Sequence, residues 1–169
     1  WSSDVCSSDL AVARRHAERD ARIVVVRTVN QGTARARETG IRHAQGDYIC
    51  FLDGDDVWDS RMLEKLVAAI GENGGYDIVC CDYKRICKTY EAPRREMRTS
   101  DMQGLDFLVA SLYHAISVTV WGRLYRRALF EKELRHYPLR LGEDSLLNIQ
   151  IGCQQPRVRF IDYVGYGYV

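Results

Sequence analysis

The chain has 169 residues, 46% hydrophobic and 28% charged, enough for one domain with a substantial core and far from disordered or collagen-like compositions. Its 24 Lys and Arg against 23 Asp and Glu leave a net charge of +1, so no basic field is available to capture nucleic acid, and a nucleic-acid partner is not expected. The six cysteines, at 6, 50, 80, 81, 87 and 153, contain no CxxC pair, and no His stands at finger-like spacing, which excludes zinc and dithiol motifs and leaves reduced, mostly buried thiols.

Residues Trp1 to Leu10 are Ser-rich, lack hydrophobic periodicity and resemble the conceptual translation of a sequencing adapter, so they are set apart as an artefactual tail. The domain is expected over 11–169, cut upstream of Ala11 and again after the strand-like Gly165-Tyr166-Gly167-Tyr168-Val169. Arg or Asp interrupts every hydrophobic run before the roughly 18 apolar residues that a membrane-spanning helix needs.

In chain order, 11–20 reads as the end of an amphipathic helix and Ile23 to Val26 as a short buried strand. Asn30-Gln31-Gly32 is a turn signal, followed by a helix with Ala34, Ala36, Ile41 and Ala44 on one face and a stop at Gly46. Tyr48 to Leu52 is a continuous apolar run, the pattern of a strand buried on both faces, and it opens into Asp53-Gly54-Asp55-Asp56. Met62, Leu63, Leu66, Val67 and Ile70 keep a helical period, and Tyr76 to Cys81 reads as another buried strand. The highly charged stretch 84–100 is expected to be an exposed loop or irregular hairpin. Further on, 101–112 and 144–153 read as helices, 118–125 as strand-like or irregular, and a strand pair is expected near Val158 to Tyr163. Alternating strands and helices point to βαβ units around a mostly parallel sheet, in which ligands bind beyond the carboxyl ends of strands.

Asp53-Gly54-Asp55-Asp56 lies at such an end. Adjacent carboxylates repel, and a divalent cation relieves that repulsion; hard oxygen donors suit Mg²⁺ or Mn²⁺, which take one or two protein carboxylates and complete their shells with water and phosphate. Gly54 allows close backbone approach to a ligand. Asp56 and Asp59 fit equally well as N-caps of the following helix.

The segment Gly46-Asp47-Tyr48-Ile49-Cys50-Phe51-Leu52-Asp53-Gly54-Asp55-Asp56 resembles the "G-[ED]-Y-I-x-F-L-D-x-D-D" block of family 2 glycosyltransferases. Asn30-Gln31-Gly32, Ala36-Arg37 and Gly40-Ile41 are similar to that family's "N-x-G-x-x-x-A-R-N-x-G-I" block, with Glu38 standing where the family has Asn. Gly142-Glu143-Asp144 resembles its "ED" motif, and Trp121-Gly122-Arg123-Leu124-Tyr125 its "W-[NG]-K-L-Y" segment. The family's first strand and its "D-D-x-S-x-D" turn would lie before Ala11.

The resemblance implies an α/β GT-A fold, incomplete at the N-terminus. It implies inverting transfer of a sugar from a nucleotide donor, a UDP-sugar by family habit, to an acceptor hydroxyl during surface polysaccharide or glycan synthesis. Asp144 matches the family's catalytic base. Asp55 and Asp53 would hold Mn²⁺ or Mg²⁺, with Asp53, Arg37, Asn30 and Gly32 at the nucleotide and Glu143, Trp121 and Arg123 at a glycan or lipid-linked acceptor. Taken alone, Glu143 and Asp144 also suit the start of a helix, Arg37 and Arg123 a surface, and Trp121 a core. The expected place is the cytoplasm, with peripheral association at the inner face of the cell membrane. A GT-A-like nucleotidyltransferase and a truncated, non-catalytic nucleotide- or glycan-binding module are the competing readings. His16, His43, His114 and His136 show no ligand spacing and are given no chemistry.

Overall fold

The computed structural model describes residues 7–87, 90–94, 101–132, 134, 135, 137, 139 and 141–169, with side chains omitted at 7, 8 and 90–94. Cys6, His136, most of the Trp1 to Leu10 tail and the Arg95-Glu96 part of the charged stretch lie outside the described residues. The chain divides into two units, 1–44 and 45–169.

The first unit holds helix α1 (Ser7–Ala17) and helix α2 (Thr33–His43). Helix α1 takes in Ser7 to Leu10 without a break. Between the helices, the expected strand at Ile23 to Val26 does not form: the segment pairs with no other strand among the described residues, and Val24 is 67% exposed. A run of β-branched residues becomes a strand only when a neighbour supplies ladder partners and cover.

The second unit is a six-stranded sheet with helices against both faces. Its strands are β1 (Tyr48–Cys50), β2 (Val57–Trp58), β3 (Ile78–Cys87), β4 (Tyr90–Arg94), β5 (Arg123–Arg126) and β6 (Val158–Tyr168). The order is β1-β5-β3-β6-β2, with β4 also on β3. Long β3 pairs with β6 along one edge, while β5 takes residues 78–80 and β4 takes 83–87 of the other. The α/β class stands, but only the β3–β6 pairing is parallel among the described strands, so the sheet is mixed where a mostly parallel one was expected. The charged stretch from Lys84 forms a β-hairpin where described, and β6 is one long strand in place of a pair.

Helix α3 (Met62–Ile70) buries Met62, Leu66, Ala69 and Ile70 against Val79, Cys81, Leu124 and Tyr166. On the opposite face, helices α4 (Asp106–Leu112) and α5 (Glu143–Gly152) bury Phe107, Ala110 and Ile151 with Ile78, Cys80, Tyr125 and Val158. Helix α4 starts later than the expected 101 because Met102 exchanges backbone hydrogen bonds with Val158, both 2.8 Å, and Gly104 turns the chain at φ 62°. Between β3 and β6 the register shifts after Cys81 and again after Asp82, leaving 162, 163 and 165 without partners on β3. No helix among the described residues is long and apolar enough to cross a membrane.

No disulfide forms among the described cysteines: Cys80 and Cys81 are buried, Cys50 and Cys87 half-buried and Cys153 exposed.

Candidate functional site

In the first unit, the Asn30 side chain accepts the Gly32 N–H at 3.1 Å, and Gly32 at φ 84° leads into α2. Such an Asx turn presents backbone N–H groups at a helix start, which is suited to an anion. Arg37 is half-buried on that helix, and Glu38 pairs along it with Arg35 and Arg42. Glu38 thus serves as a helix-surface ion-pair partner at the position where the family carries Asn.

The acidic loop follows β1, and its three Asp residues divide by burial. Asp55 is exposed and forms no side-chain hydrogen bond or ion pair among the described residues, whereas Asp53 is partly exposed. Asp56 is buried: its carboxylate accepts the Tyr166 hydroxyl at 2.6 Å and the Val169 N–H at 2.9 Å. The same Tyr166 oxygen accepts the Asp53 N–H at 3.3 Å. Neither Asp56 nor Asp59 caps α3, where Arg61 occupies the N-cap position. Asp59 instead accepts the Arg61 N–H at 3.0 Å and the Tyr163 hydroxyl. Those hydrogen bonds, the tyrosine's foremost, hold the Asp59 carboxyl below its ordinary range.

The Tyr166 ring stacks on Trp121, with centroids 4.4 Å apart and planes 8° from parallel, and Tyr83 meets the indole edge-on at 4.8 Å. Trp121 is buried, so its ring is engaged in the core. Gly122, at φ 69°, turns the backbone so that Arg123, two positions past Trp121, reaches the opposite face of the sheet. There Arg123 is 2% exposed, lies over the Phe107 ring and donates to Asn148 Oδ1 at 2.7 Å and to the Ser117 carbonyl. Its guanidinium therefore points into the protein.

Asn148, also buried, donates to the carbonyls of Val118 at 2.6 Å and Asp144 at 2.9 Å. This fixes the 117–120 segment, from which the Val120 N–H donates to Asp144 Oδ2 at 3.3 Å. Asp144 and Glu143 occupy the first turn of α5 behind Gly142, where the helix dipole favours negative charge. Contacts therefore run from Asp53 through Tyr166 and the Trp121–Val120 backbone to Asp144, joining four separate sequence blocks. Sequence reasoning missed Asn148, Tyr166 as a hydroxyl donor, and the buried state of Asp56. An acid four residues before Asn148 on the same helix was the available signal for the first.

The loop's donor set fits a hard cation: Asp55 is exposed and Asp53 partly exposed while Asp56 turns inward, and an added Cβ at Gly54 would meet nothing within 4 Å. Among the described residues no three His, Cys, Asp or Glu converge as metal ligands, so a cation here would need phosphate and water to complete its shell.

A family model described as Glycosyl transferase family 2 matches residues 4–134. The chain is 37% identical over 166 residues to the Bacillus subtilis protein named "Uncharacterized glycosyltransferase EpsJ", covering 93% of this chain and 47% of that one. It is 25% identical over 124 residues to Staphylococcus aureus TarP, a poly(ribitol-phosphate) beta-N-acetylglucosaminyltransferase, covering 72% of this chain and 37% of that one. The chain thus spans about half or less of these curated relatives. Among solved structures, S. aureus TarS 1-349 in complex with UDP-GlcNAc superposes with a TM-score of 0.73 at 19% identity, over 96% of this chain and 46% of that one. That likeness establishes the GT-A fold, and with the family match over most of its length the chain belongs to glycosyl transferase family 2.

Proposed function

We propose that the protein carrying this chain transfers a sugar from a UDP-sugar to an acceptor hydroxyl, with inversion, during assembly of a surface polysaccharide or related glycan. The observation that carries this reading is the contact chain linking the Asp53–Asp56 loop to Asp144 through Tyr166, Trp121 and Val120. UDP-GlcNAc in the TarS complex supports the donor class, and the activity for which TarP is named supports a polymeric acceptor.

In this reading Asp144 takes the proton of the acceptor hydroxyl while the acceptor oxygen bonds to the anomeric carbon and the diphosphate leaves with the bonding electron pair. The Val120 N–H donates to Asp144 Oδ2, which fixes the orientation of that carboxylate. Arg123 and Asn148 act as positioning residues for the segment carrying that N–H. Glu143 is assigned to acceptor hydroxyls on the family resemblance. Asp55 and Asp53 would hold Mn²⁺ or Mg²⁺, which when bound offsets the charge growing on the diphosphate. Asn30, Gly32 and Arg37 are assigned to the nucleotide on the family resemblance. Peripheral residence at the inner membrane face rests on that resemblance as well.

The test is transfer by Asp144→Asn in the whole protein. With divalent metal and acceptor, the wild type should release nucleoside diphosphate from a UDP-sugar. The variant should bind UDP yet transfer no sugar, and normal turnover by it would remove the base assignment.

A further inference from the structure

The acidic tetrapeptide is tied at both ends by a single oxygen. The Tyr166 hydroxyl gives its hydrogen to Asp56 Oδ2 at 2.6 Å and accepts the Asp53 N–H at 3.3 Å, while the Asp56 N–H closes the turn on the Asp53 carbonyl at 3.2 Å. Asp55 lies between these two anchored residues and faces solvent. Tyr166 is 1% exposed and its ring is fixed by the Trp121 stack, so the oxygen has little freedom to move. Asp56 is spared ligand duty by its bond to that oxygen, since a carboxylate holding a buried hydroxyl and the Val169 N–H is committed inward.

We propose that Tyr166 is a positioning residue for the donor: its hydroxyl, clamped between the Asp53 backbone and the Asp56 carboxylate, sets the loop geometry that presents Asp53 and Asp55 to a nucleoside diphosphate. The proposal rests on the nucleotide-sugar reading above. Removing the hydroxyl leaves Asp56 with one fewer donor and the Asp53 N–H without this acceptor. The loop then samples other shapes and the nucleotide must order it on binding. Asp144 keeps its own supports from Val120 and Asn148, so the chemical step is affected less than donor capture.

The experiment compares wild type, Tyr166→Phe, Asp56→Asn and the double variant in the whole protein, measuring UDP affinity by calorimetry and the donor KM and kcat by diphosphate release. Each single variant should weaken UDP and raise donor KM by about tenfold with kcat within about twofold, and the double should be no worse than the worse single, because both disturb the same Tyr166–Asp56 clamp. Unchanged UDP affinity in Tyr166→Phe, a loss confined to kcat, or additive losses of about a hundredfold in the double would each overturn the proposal. If Tyr166→Phe shows no native thermal transition, Asp56→Asn against wild type decides on the same readings. Wild-type protein that binds no UDP at all refutes the nucleotide-sugar reading itself, an outcome distinct from a wild type that binds UDP no better than its variants.

Discussion

Arg123 Nη1 donates to Asn148 Oδ1 at 2.7 Å, bonding β5 to α5 in the interior between two residues that are each no more than 2% exposed. A buried guanidinium is tolerated only when its donors are met, and Asn148 meets one of them while its amide fastens the 117–120 segment. Asn148→Ala should therefore destabilise the protein by about 1.5–3 kcal/mol, the range for a hydrogen bond to a charged group. Equilibrium urea unfolding checks this, and a change under about 0.5 kcal/mol would show the pair to be dispensable.

The two neighbouring acids at 55 and 56 should separate in their effects. Asp55→Asn, at an exposed side chain, should leave stability within about 0.5 kcal/mol while raising the Mn²⁺ concentration needed for turnover. Asp56→Ala should cost about 1–3 kcal/mol because the Tyr166 hydroxyl and the Val169 N–H lose their acceptor. Thermal melts and metal titrations of both variants test the contrast, and similar stability losses in the two would contradict it.

Two glycines should respond in opposite directions to alanine. At Gly165 a new Cβ would come within 2.9 Å of Cys81 Sγ and of Met62 Cγ, and overpacking of this kind costs about 1–3 kcal/mol. Gly40 lies inside α2 with nothing within 4 Å of the added carbon, so Gly40→Ala should gain about 0.5–1 kcal/mol by helix propensity. Denaturation midpoints report both signs.

Burial pushes the Cys50 and Cys81 thiols up to about 12 from 9.0. Folding thus favours their neutral forms, so the stability this contributes is complete below pH 9.0 and is lost as pH rises through about 12. At pH near 8, iodoacetamide should label exposed Cys153 readily and reach Cys50 and Cys81 only on unfolding, as read by peptide mass mapping. Rapid labelling of Cys81 in the native protein would show the α3 face of the sheet to be open.

The parts of this protein governed by local pattern were legible in its sequence. Helices α2 and α3 fall where apolar periodicity and glycine stops put them, α5 lies within a residue of the expected 144–153, and the apolar run before Asp53 is a strand, though only over Tyr48–Cys50. Long-range pairing was not legible. Nothing near Ile23 to Val26 announces that no described strand will pair with it, and nothing in β3 tells that its other edge is shared by β5 and β4. The acidic loop shows the same limit at the level of single residues. Asp53 to Asp56 formed part of the resemblance as one undivided acidic run, but a tyrosine 110 positions away selects Asp56 for the interior. Arg123 likewise resembled a surface cation until the turn at Gly122 directed it inward.

The slipped register of β6 has a consequence for which way its tyrosines face. Phe160 and Tyr166 are an even number of residues apart, so an uninterrupted strand would set both on the α4–α5 side. The unpaired residues at 162, 163 and 165 are odd in number, and they reverse the parity, so that Tyr166 joins Ile161 beside α3 while Phe160 stays opposite. Losing a single residue from this stretch would rotate the stacking surface away from Trp121 and strip Asp56 of its phenol, whereas losing two would keep the sidedness intact.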